Sequence, residues 1–149
     1  MITARKITRR RERQKGTSLI EFSLVAFQLV LVLFAVFELS RMVLVSTTVA
    51  HSARTAIRYA IVHGATRTGT GVDGASGPSD YSQVVANIKK YASGGLLNTA
   101  RLTTTVSYPD GSNTPGSRVS ITVIYPYDPF TLLPLHVNLG STSQGIICF

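Results

Sequence analysis

The sequence predicts an α+β protein in which a long N-terminal helix, transmembrane in its first half, precedes a small C-terminal domain of one helix and an antiparallel sheet. Three observations predict this fold class. An apolar block runs from Leu19 to Val45, no glycine or proline interrupts residues 17–63, and the later chain contains two segments of alternating apolar and polar residues. The 149 residues suffice for one modest domain beyond such a helix.

The apolar block predicts a membrane span at residues 17–45. Between Glu21 and Glu38 lie 16 uncharged residues, 12 of which are Phe, Leu or Val. These side chains contribute roughly −4 to −7 kcal/mol toward membrane insertion. That gain exceeds the cost of the two acidic residues, because both lie near the ends of the span, where the cost falls. The block is also longer than the apolar core of a cleaved secretory signal, so we expect it to stay in the membrane.

The charge distribution predicts the orientation of the span. Residues 1–16 hold seven basic residues and one acidic residue, which is +6 of the net charge of +8. A short basic N-terminus stays in the cytoplasm, so the residues after the span are expected on the other side of the membrane. A nucleic-acid-binding arm is the alternative, but the basic run lacks interleaved aromatic residues and adjoins an apolar span. We therefore expect no nucleic-acid partner.

The second half of the long helix, residues 46–63, is predicted to be amphipathic. Apolar residues recur there at steps of three and four and form one face that can pack on a sheet: Val49, Ala53, Ala56, Ile57, Ala60 and Ile61. Residues 64–78 are predicted to be a Gly-rich linker. The linker contains a formal match to G-x-G-x-x-G at residues 69–74, but neither a strand before it nor a helix after it is predicted, which favours a loop.

The C-terminal domain is predicted to span residues 79–149. Its helix is expected to start with Asp80 as N-cap and Gln83 at the third helical position, and to end at Gly94-Gly95. The alternating segments 101–108 and 118–125 flank turn residues and predict an antiparallel hairpin. Pro126 is expected to take residues 125–129 out of the sheet, and residues 135–148 are the candidate for a further weak strand.

The junction between the basic run and the apolar helix carries the clearest functional motif. One glycine, Gly16, separates the two, and Glu21 follows it by five residues. This arrangement resembles the signal of type IV pilin-like proteins, which prepilin peptidase cuts after the glycine. The resemblance implies cleavage between Gly16 and Thr17, removal of residues 1–16 as a leader peptide, and an assembly role for Glu21 that sets subunit register. Without the resemblance, these residues are equally compatible with a helix capping box, in which Ser18 is the N-cap and Glu21 occupies the third helical position.

A second acidic residue, Glu38, lies near the other end of the span. Arg41 follows it by three residues, a spacing that predicts an ion pair at the helix end. The segments 16–25 (GTSLIEFSLV) and 37–41 (FELSR) together resemble the start and the helix end of the TadE-like family. The segments 53–60 (ARTAIRYA) and 119–127 (VSITVIYPY) are similar to later motifs of the same family.

The resemblance implies a minor pseudopilin that acts in assembly of a tight-adherence (Tad/Flp) surface pilus. It implies a single-pass protein of the bacterial inner membrane, with a cytoplasmic N-terminus and a periplasmic or extracytoplasmic C-terminal domain. The implied partners are prepilin peptidase, other pilin or pseudopilin subunits, the pilus assembly machinery and membrane lipid. Phe22 stands where the major pilins of that system usually have tyrosine, which favours a minor subunit. The alternative function is a permanently anchored, extracytoplasmic binding module.

No part of the sequence predicts an enzyme. The three histidines are scattered without the spacing of a metal site, and the later aspartates fall in linker, cap and turn contexts. No Ser/His/Asp arrangement is indicated. Cys148 is the single cysteine and is expected to be an unpaired or buried thiol and not a nucleophile. We therefore expect no catalytic residue, cofactor or metal ion.

Overall fold

A computed structural model describes residues 3–95, 97–130 and 136–148 of the chain, with the side chains of residues 3–16 outside that description. Helix α1 spans Thr3–Val62 and helix α2 spans Ser82–Gly94. Strands β1, β2 and β3 span Thr103–Ser107, Arg118–Tyr127 and Val137–Ile146. The predicted α+β class is confirmed. The chain divides into two units, Met1–Ser40 and Arg41–Phe149, which are described separately below.

The first unit is helical throughout its described part. Helix α1 begins at Thr3, earlier than the predicted helix, and continues through Gly16. The basic run consists largely of good helix formers, and one internal glycine costs a helix only about 1 kcal/mol relative to alanine. Because the helix is already established at Ser18, this residue is not an N-cap in the uncut chain, and the capping-box interpretation is wrong for that form.

The polar side chains within the apolar stretch are satisfied inside the helix. The Ser23 hydroxyl donates a hydrogen bond to the Leu19 carbonyl oxygen at 2.8 Å. The Ser40 hydroxyl donates to the Val36 carbonyl oxygen at the same distance. Such bonds remove the need for water, which the hydrocarbon region of a membrane does not supply.

The second unit has a single core to which α1, α2 and the sheet all contribute. Residues of α1 such as Val49, Ala53 and Ala56 have at most 1% of their surface exposed, and Ile88 of α2 and Ile121 of β2 are fully buried. The other members of this core are Val45, Ile57, Ala60, Val84, Ala92, Leu97, Tyr108, Val119, Val123, Tyr127 and Ile147. The predicted apolar face of residues 46–63 is thus confirmed, and α1 completes the core of the C-terminal domain.

The start of α2 differs from the prediction by one residue. Tyr81 is the N-cap and makes no side-chain capping bond, so the predicted capping box of Asp80 and Gln83 is wrong. Asp80 instead precedes the N-cap, and its Oδ1 accepts a hydrogen bond from the backbone N–H of Ser82 at 3.0 Å. This bond lowers the pKa of the Asp80 carboxyl below its ordinary value. The Asp80 carboxylate therefore still accepts a hydrogen bond from the first residue of α2, as part of a local turn.

The sheet is antiparallel in the order β1–β2–β3, with Ile121 of the central strand opposite Val106 on one side and Ser143 on the other. The predicted hairpin and the further strand are confirmed. The predicted departure from the sheet near Pro126 is wrong, because β2 continues to Tyr127 and Pro126 lies opposite Asn138 of β3. Pairing of β2 with β1 has already ended at Ile124, and a strand with one free side tolerates a missing N–H donor.

The Gly-rich segment 64–78 is tied to the end of α1. The backbone N–H of Ser76 donates to the His63 carbonyl oxygen at 2.7 Å, and the Tyr59 hydroxyl donates to the Val72 carbonyl oxygen at 2.7 Å. The G-x-G-x-x-G match forms a loop, as predicted, and this loop contains a short 3-10 turn at Gly71–Asp73 that was not predicted. Hydrogen bonds to its main chain thus hold this segment in a defined path although its composition is that of a flexible tether.

The end of the chain returns to the end of α1. The backbone N–H of Cys148 donates to the Ile61 carbonyl oxygen at 3.0 Å. Nearby on β3, a Cβ atom added to Gly145 would lie 2.5 Å from Cδ1 of Ile61, so only glycine allows the strand to pack this closely on the helix. The last strand and the last turn of α1 are therefore joined both by packing and by a hydrogen bond.

Candidate functional site

The candidate processing site lies on α1 in the first unit, at Gly16 and Thr17. The backbone is helical at both residues, and the Thr17 side chain is exposed. Glu21 follows Thr17 by four residues, so the two lie on the same face of the helix. This is the arrangement that the resemblance implies, with a backbone to be cut and an acidic side chain one turn further on.

The Glu21 carboxylate is exposed in the apolar stretch. Within the described part of the chain it meets no hydrogen-bond or ion-pair partner. Phe22, beside it, has 74% of its surface exposed. A carboxylate in hydrocarbon without a partner is costly, whereas one paired with a cation is not. The geometry therefore leaves Glu21 available for a cation from outside the described chain.

The apolar part of α1 is exposed along its whole length. Helix Thr17–Val62 is long and apolar enough to cross a membrane, and none of its most apolar 18-residue window is buried. Exposed phenylalanines such as Phe27, Phe34 and Phe37 retain 57–67% of their surface. An apolar surface of this extent is expected to be covered by lipid or by another apolar helix. The helix is consistent with a single-pass membrane anchor.

The predicted pair at the helix end is only partly described. Glu38 is half-buried. In the second unit, the Arg41 guanidinium carbon lies 5.3 Å from the ring centroid of Tyr127, a cation–π contact at the end of β2. The Glu38–Arg41 ion pair stays a prediction. The contact with Tyr127 was not predicted, because it joins residues that are distant in the sequence and depends on the register of the sheet.

An ionic cluster in the second unit was not predicted from the sequence. The Asp128 carboxylate accepts hydrogen bonds from the Arg101 guanidinium at 2.5 Å and from His136 Nδ1 at 3.0 Å. These two hydrogen bonds lower the pKa of the Asp128 carboxyl, and the bond from His136 has the larger effect. The cluster joins the residues before β1, after β2 and before β3. All three side chains are substantially exposed, so the cluster does not enclose a reaction site. It connects the ends of the strands to one another.

A second ion pair closes the turn between β1 and β2. Asp110 accepts a hydrogen bond from the Arg118 backbone N–H at 2.7 Å and another from Arg118 Nη2 at 2.7 Å. The bonds from the guanidinium, followed by the backbone bond, lower the pKa of Asp110 to about 2 from 3.8. The carboxylate thus replaces a backbone acceptor at the start of the central strand.

Because the pKa of Asp110 is lower in the folded chain than in the unfolded chain, its contribution to stability is present above about pH 4 and is lost as the pH falls toward 2. We expect Asp110→Asn to remove this part of the pH dependence and to leave the dependence above pH 5 unchanged. Urea unfolding at a series of pH values measures it. Arg118→Gln should flatten the same acid limb, and an Asp110→Asn curve parallel to that of the unaltered chain would contradict the assignment.

No three His, Cys, Asp or Glu side chains of the described residues lie close enough to hold a metal ion. Cys148 is exposed. His63 stacks on Tyr59 with ring centroids 3.9 Å apart, and its Nδ1 lies 2.8 Å from the Tyr59 carbonyl oxygen. His63 therefore packs against the end of α1, whereas His136 belongs to the ionic cluster.

The comparison with family models gives one match, to the family described as TadE-like protein, over residues 16–58. The matched segment begins at the glycine of the candidate processing site and ends in the buried stripe of α1. No curated protein and no solved structure matches the chain. The match contains Gly16, Thr17, Glu21, Phe22, Glu38 and Arg41. The resemblance of this sequence to the TadE-like family is therefore confirmed, over the helix that carries all of its candidate site residues.

Proposed function

We propose that this chain is a minor pseudopilin that prepilin peptidase processes between Gly16 and Thr17 and that acts in assembly of a Tad/Flp-type surface pilus. The observation that carries the proposal is the TadE-like match, which starts at the glycine between a basic run and an apolar helix. In this proposal the protein is a substrate of an enzyme and has no catalytic activity. Its N-terminus is cytoplasmic, and its second unit lies outside the cytoplasm.

Cleavage separates the two functions of the N-terminal segment. The basic residues set the topology while the span is inserted, and hydrolysis of the Gly16–Thr17 amide then removes them without releasing the apolar helix. A protease holds its substrate in an extended form, whereas α1 is helical across the bond. Glycine is the least costly residue at which to unwind the helix, since it is the weakest helix former after proline. Gly16 thus supports cleavage at this position.

The new N-terminus supplies a cation with which Glu21 can pair. Hydrolysis leaves a carboxylate on Gly16 and an α-amino group on Thr17, whose reference pKa of about 7.7–8.0 keeps it largely protonated at neutral pH. We infer that the Glu21 carboxylate pairs with the amino group of a neighbouring pilin or pseudopilin subunit. Such a pair would neutralise both charges in the membrane and would fix the axial register of adjacent helices.

The proposal predicts a defined N-terminus. When the chain is expressed in membranes with prepilin peptidase, intact-mass spectrometry should find a chain that starts at Thr17, and without the peptidase it should find all 149 residues. Gly16→Val should remain uncut in both cases, because the valine side chain adds bulk where the cleft of the protease holds a backbone without a side chain. Gly94→Val is the matched control, since a side chain at Gly94 enters open space and should not affect cleavage.

An intact chain in peptidase-containing membranes would overturn the proposal. It would instead favour the alternative, a permanently anchored module that binds a partner with its extracytoplasmic domain. Under that alternative the unit Arg41–Phe149 would carry the function, and neither Gly16→Val nor a change at Glu21 would alter binding.

A further inference from the structure

The second unit has a groove between α1 and α2 that the proposed function does not use. Its volume is about 490 Å³. The residues that line it and matter here are Thr47, His51, Lys90, Tyr91, Gly94 and Gly95. The rings of His51 and Tyr91 lie 5.8 Å apart and join the two helices on one wall. A Cβ atom added to Gly94 would meet no atom within 4 Å, whereas one added to Gly95 would clash with the Thr48 side chain, so the groove is open at Gly94 and closed at Gly95.

Among the described residues, one basic residue, Lys90, and no acidic residue line the groove. Between Arg41 and Val62 helix α1 has no acidic residue, and α2 has none over its whole length. The same two segments carry five basic residues: Arg41, Arg54, Arg58, Lys89 and Lys90. Of these, Lys90 lines the groove. The acidic residues of the second unit all lie outside these two helical segments. Two of them, Asp110 and Asp128, are paired with arginines. The electrostatic potential of this groove therefore favours an anion.

The position of the groove along α1 indicates which anion reaches it. Val43, Thr47 and His51 are spaced by four residues and so lie on one face of the helix. Val43 has 61% of its surface exposed and Leu44 has 54%, as expected of side chains in contact with lipid. Thr47 lies about 6 Å beyond Val43 along the helix axis, which is about the depth of a phospholipid head-group layer. The groove thus opens directly above the apolar face.

The donors that remain for a ligand are charged. The hydroxyls of Thr47 and Thr48 both donate to the Leu44 carbonyl oxygen at 2.9 Å. The Lys90 ammonium carries three N–H donors on a flexible stem, and Tyr91 adds the amphipathic ring that is typical of membrane interfaces. A phosphodiester that is attached to two acyl chains matches this combination of one cation, an aromatic wall and an adjoining apolar stripe.

We propose that this groove binds the phosphate head group of an anionic phospholipid in the leaflet on the side of the second unit. The lipid's acyl chains would run along the face of Val43 and its head group would lie beside Lys90. The site orients the second unit relative to the membrane surface. This inference depends on α1 spanning a membrane and does not depend on cleavage after Gly16, so the two proposals can fail separately.

The test uses the full chain in a mild detergent, titrated with phosphatidylglycerol or phosphatidylcholine and analysed by native mass spectrometry for retained lipid. We expect preferential retention of phosphatidylglycerol. Lys90→Gln should weaken it about fivefold, corresponding to about 1 kcal/mol for one basic residue near an anionic head group. Lys89→Gln makes the same charge change on the adjacent residue and should retain lipid as the unaltered chain does, because Lys89 does not line the groove.

A second pair of variants tests the groove without changing any charge. A Cβ atom at Gly94 meets no atom within 4 Å, so Gly94→Leu should fill the groove, leave the fold intact and block lipid retention. Ser93→Leu, at the exposed neighbouring position, should have no effect. Thermal unfolding followed by circular dichroism verifies that each variant is folded.

Three results would overturn the proposal. Equal weakening by Lys89→Gln and Lys90→Gln, with no effect of Gly94→Leu, would show diffuse charge attraction instead of a site. Equal retention of the two lipids would remove the anionic head group as ligand. Competition by millimolar inorganic phosphate would assign the groove to a free anion and not to a lipid.

Discussion

Glu21→Gln is expected to abolish pilus assembly while leaving cleavage after Gly16 intact. The substitution keeps the size of the side chain and removes its negative charge, so the α-amino group of a neighbouring subunit would have no partner in the hydrocarbon region. The measurement is the amount of pilus protein sheared from cells that express the variant as their only copy, with electron microscopy of the cell surface. Intact-mass spectrometry of the membrane fraction should still find Thr17 as the N-terminus.

The matched control is Glu38→Gln, the same carboxyl-to-amide change at the other end of the apolar stretch. Glu38 lies near the end of the predicted span, where an acidic side chain costs less than at the centre of the bilayer, so this variant should still assemble pili. Normal piliation with Glu21→Gln would rule out the charge pair as the determinant of register. Loss of piliation in both variants would indicate a general requirement for acidic ends of the helix.

Ile121→Ala is expected to destabilise the second unit by about 2–5 kcal/mol. Ile121 is fully buried at the centre of β2 and lies between Val106 and Ser143 on the neighbouring strands. Truncation removes buried methyl and methylene groups and leaves a cavity against α1 and α2 that close-packed neighbours fill only partly. Urea unfolding of the full chain in detergent, followed by near-ultraviolet circular dichroism of the tyrosines, measures the loss.

Ile146→Ala is the control for this substitution. Ile146 lies on the same sheet, at the end of β3, but 60% of its surface is exposed. Its truncation should change the free energy of unfolding by about 0.5 kcal/mol or less. Equal effects of the two variants would show that the second unit lacks the packed core described here.

The long helix and its two halves were predictable because the relevant signals are local. An uncharged apolar run and a three-four spacing of Val49, Ala53 and Ala56 depend only on neighbours along the chain. The same holds for the alternation in β1 and β2, where the buried and exposed positions follow the predicted faces. Family resemblance, carried by residues near Gly16 and Glu21, added the candidate function.

The errors arose where a distant part of the chain decides the outcome. Pro126 would end a strand that is paired on both sides, and only the early end of β1 explains why β2 continues. The contact of Arg41 with Tyr127 and the cluster around Asp128 likewise depend on which strand ends meet. The groove at Lys90 could not be predicted, because its walls come from two helices whose packing is set by the core.

The hydrogen bond from Cys148 to Ile61 has a consequence for the biogenesis of the protein. The ribosome makes α1 first, yet the buried layer that this helix completes includes β3 and Ile147, which are synthesised last. In the proposed topology the second unit would therefore cross the membrane unfolded and would acquire its tertiary structure only after translation has ended. Premature stop codons anywhere in β3 should accordingly yield products whose second unit is unfolded and is degraded by proteases.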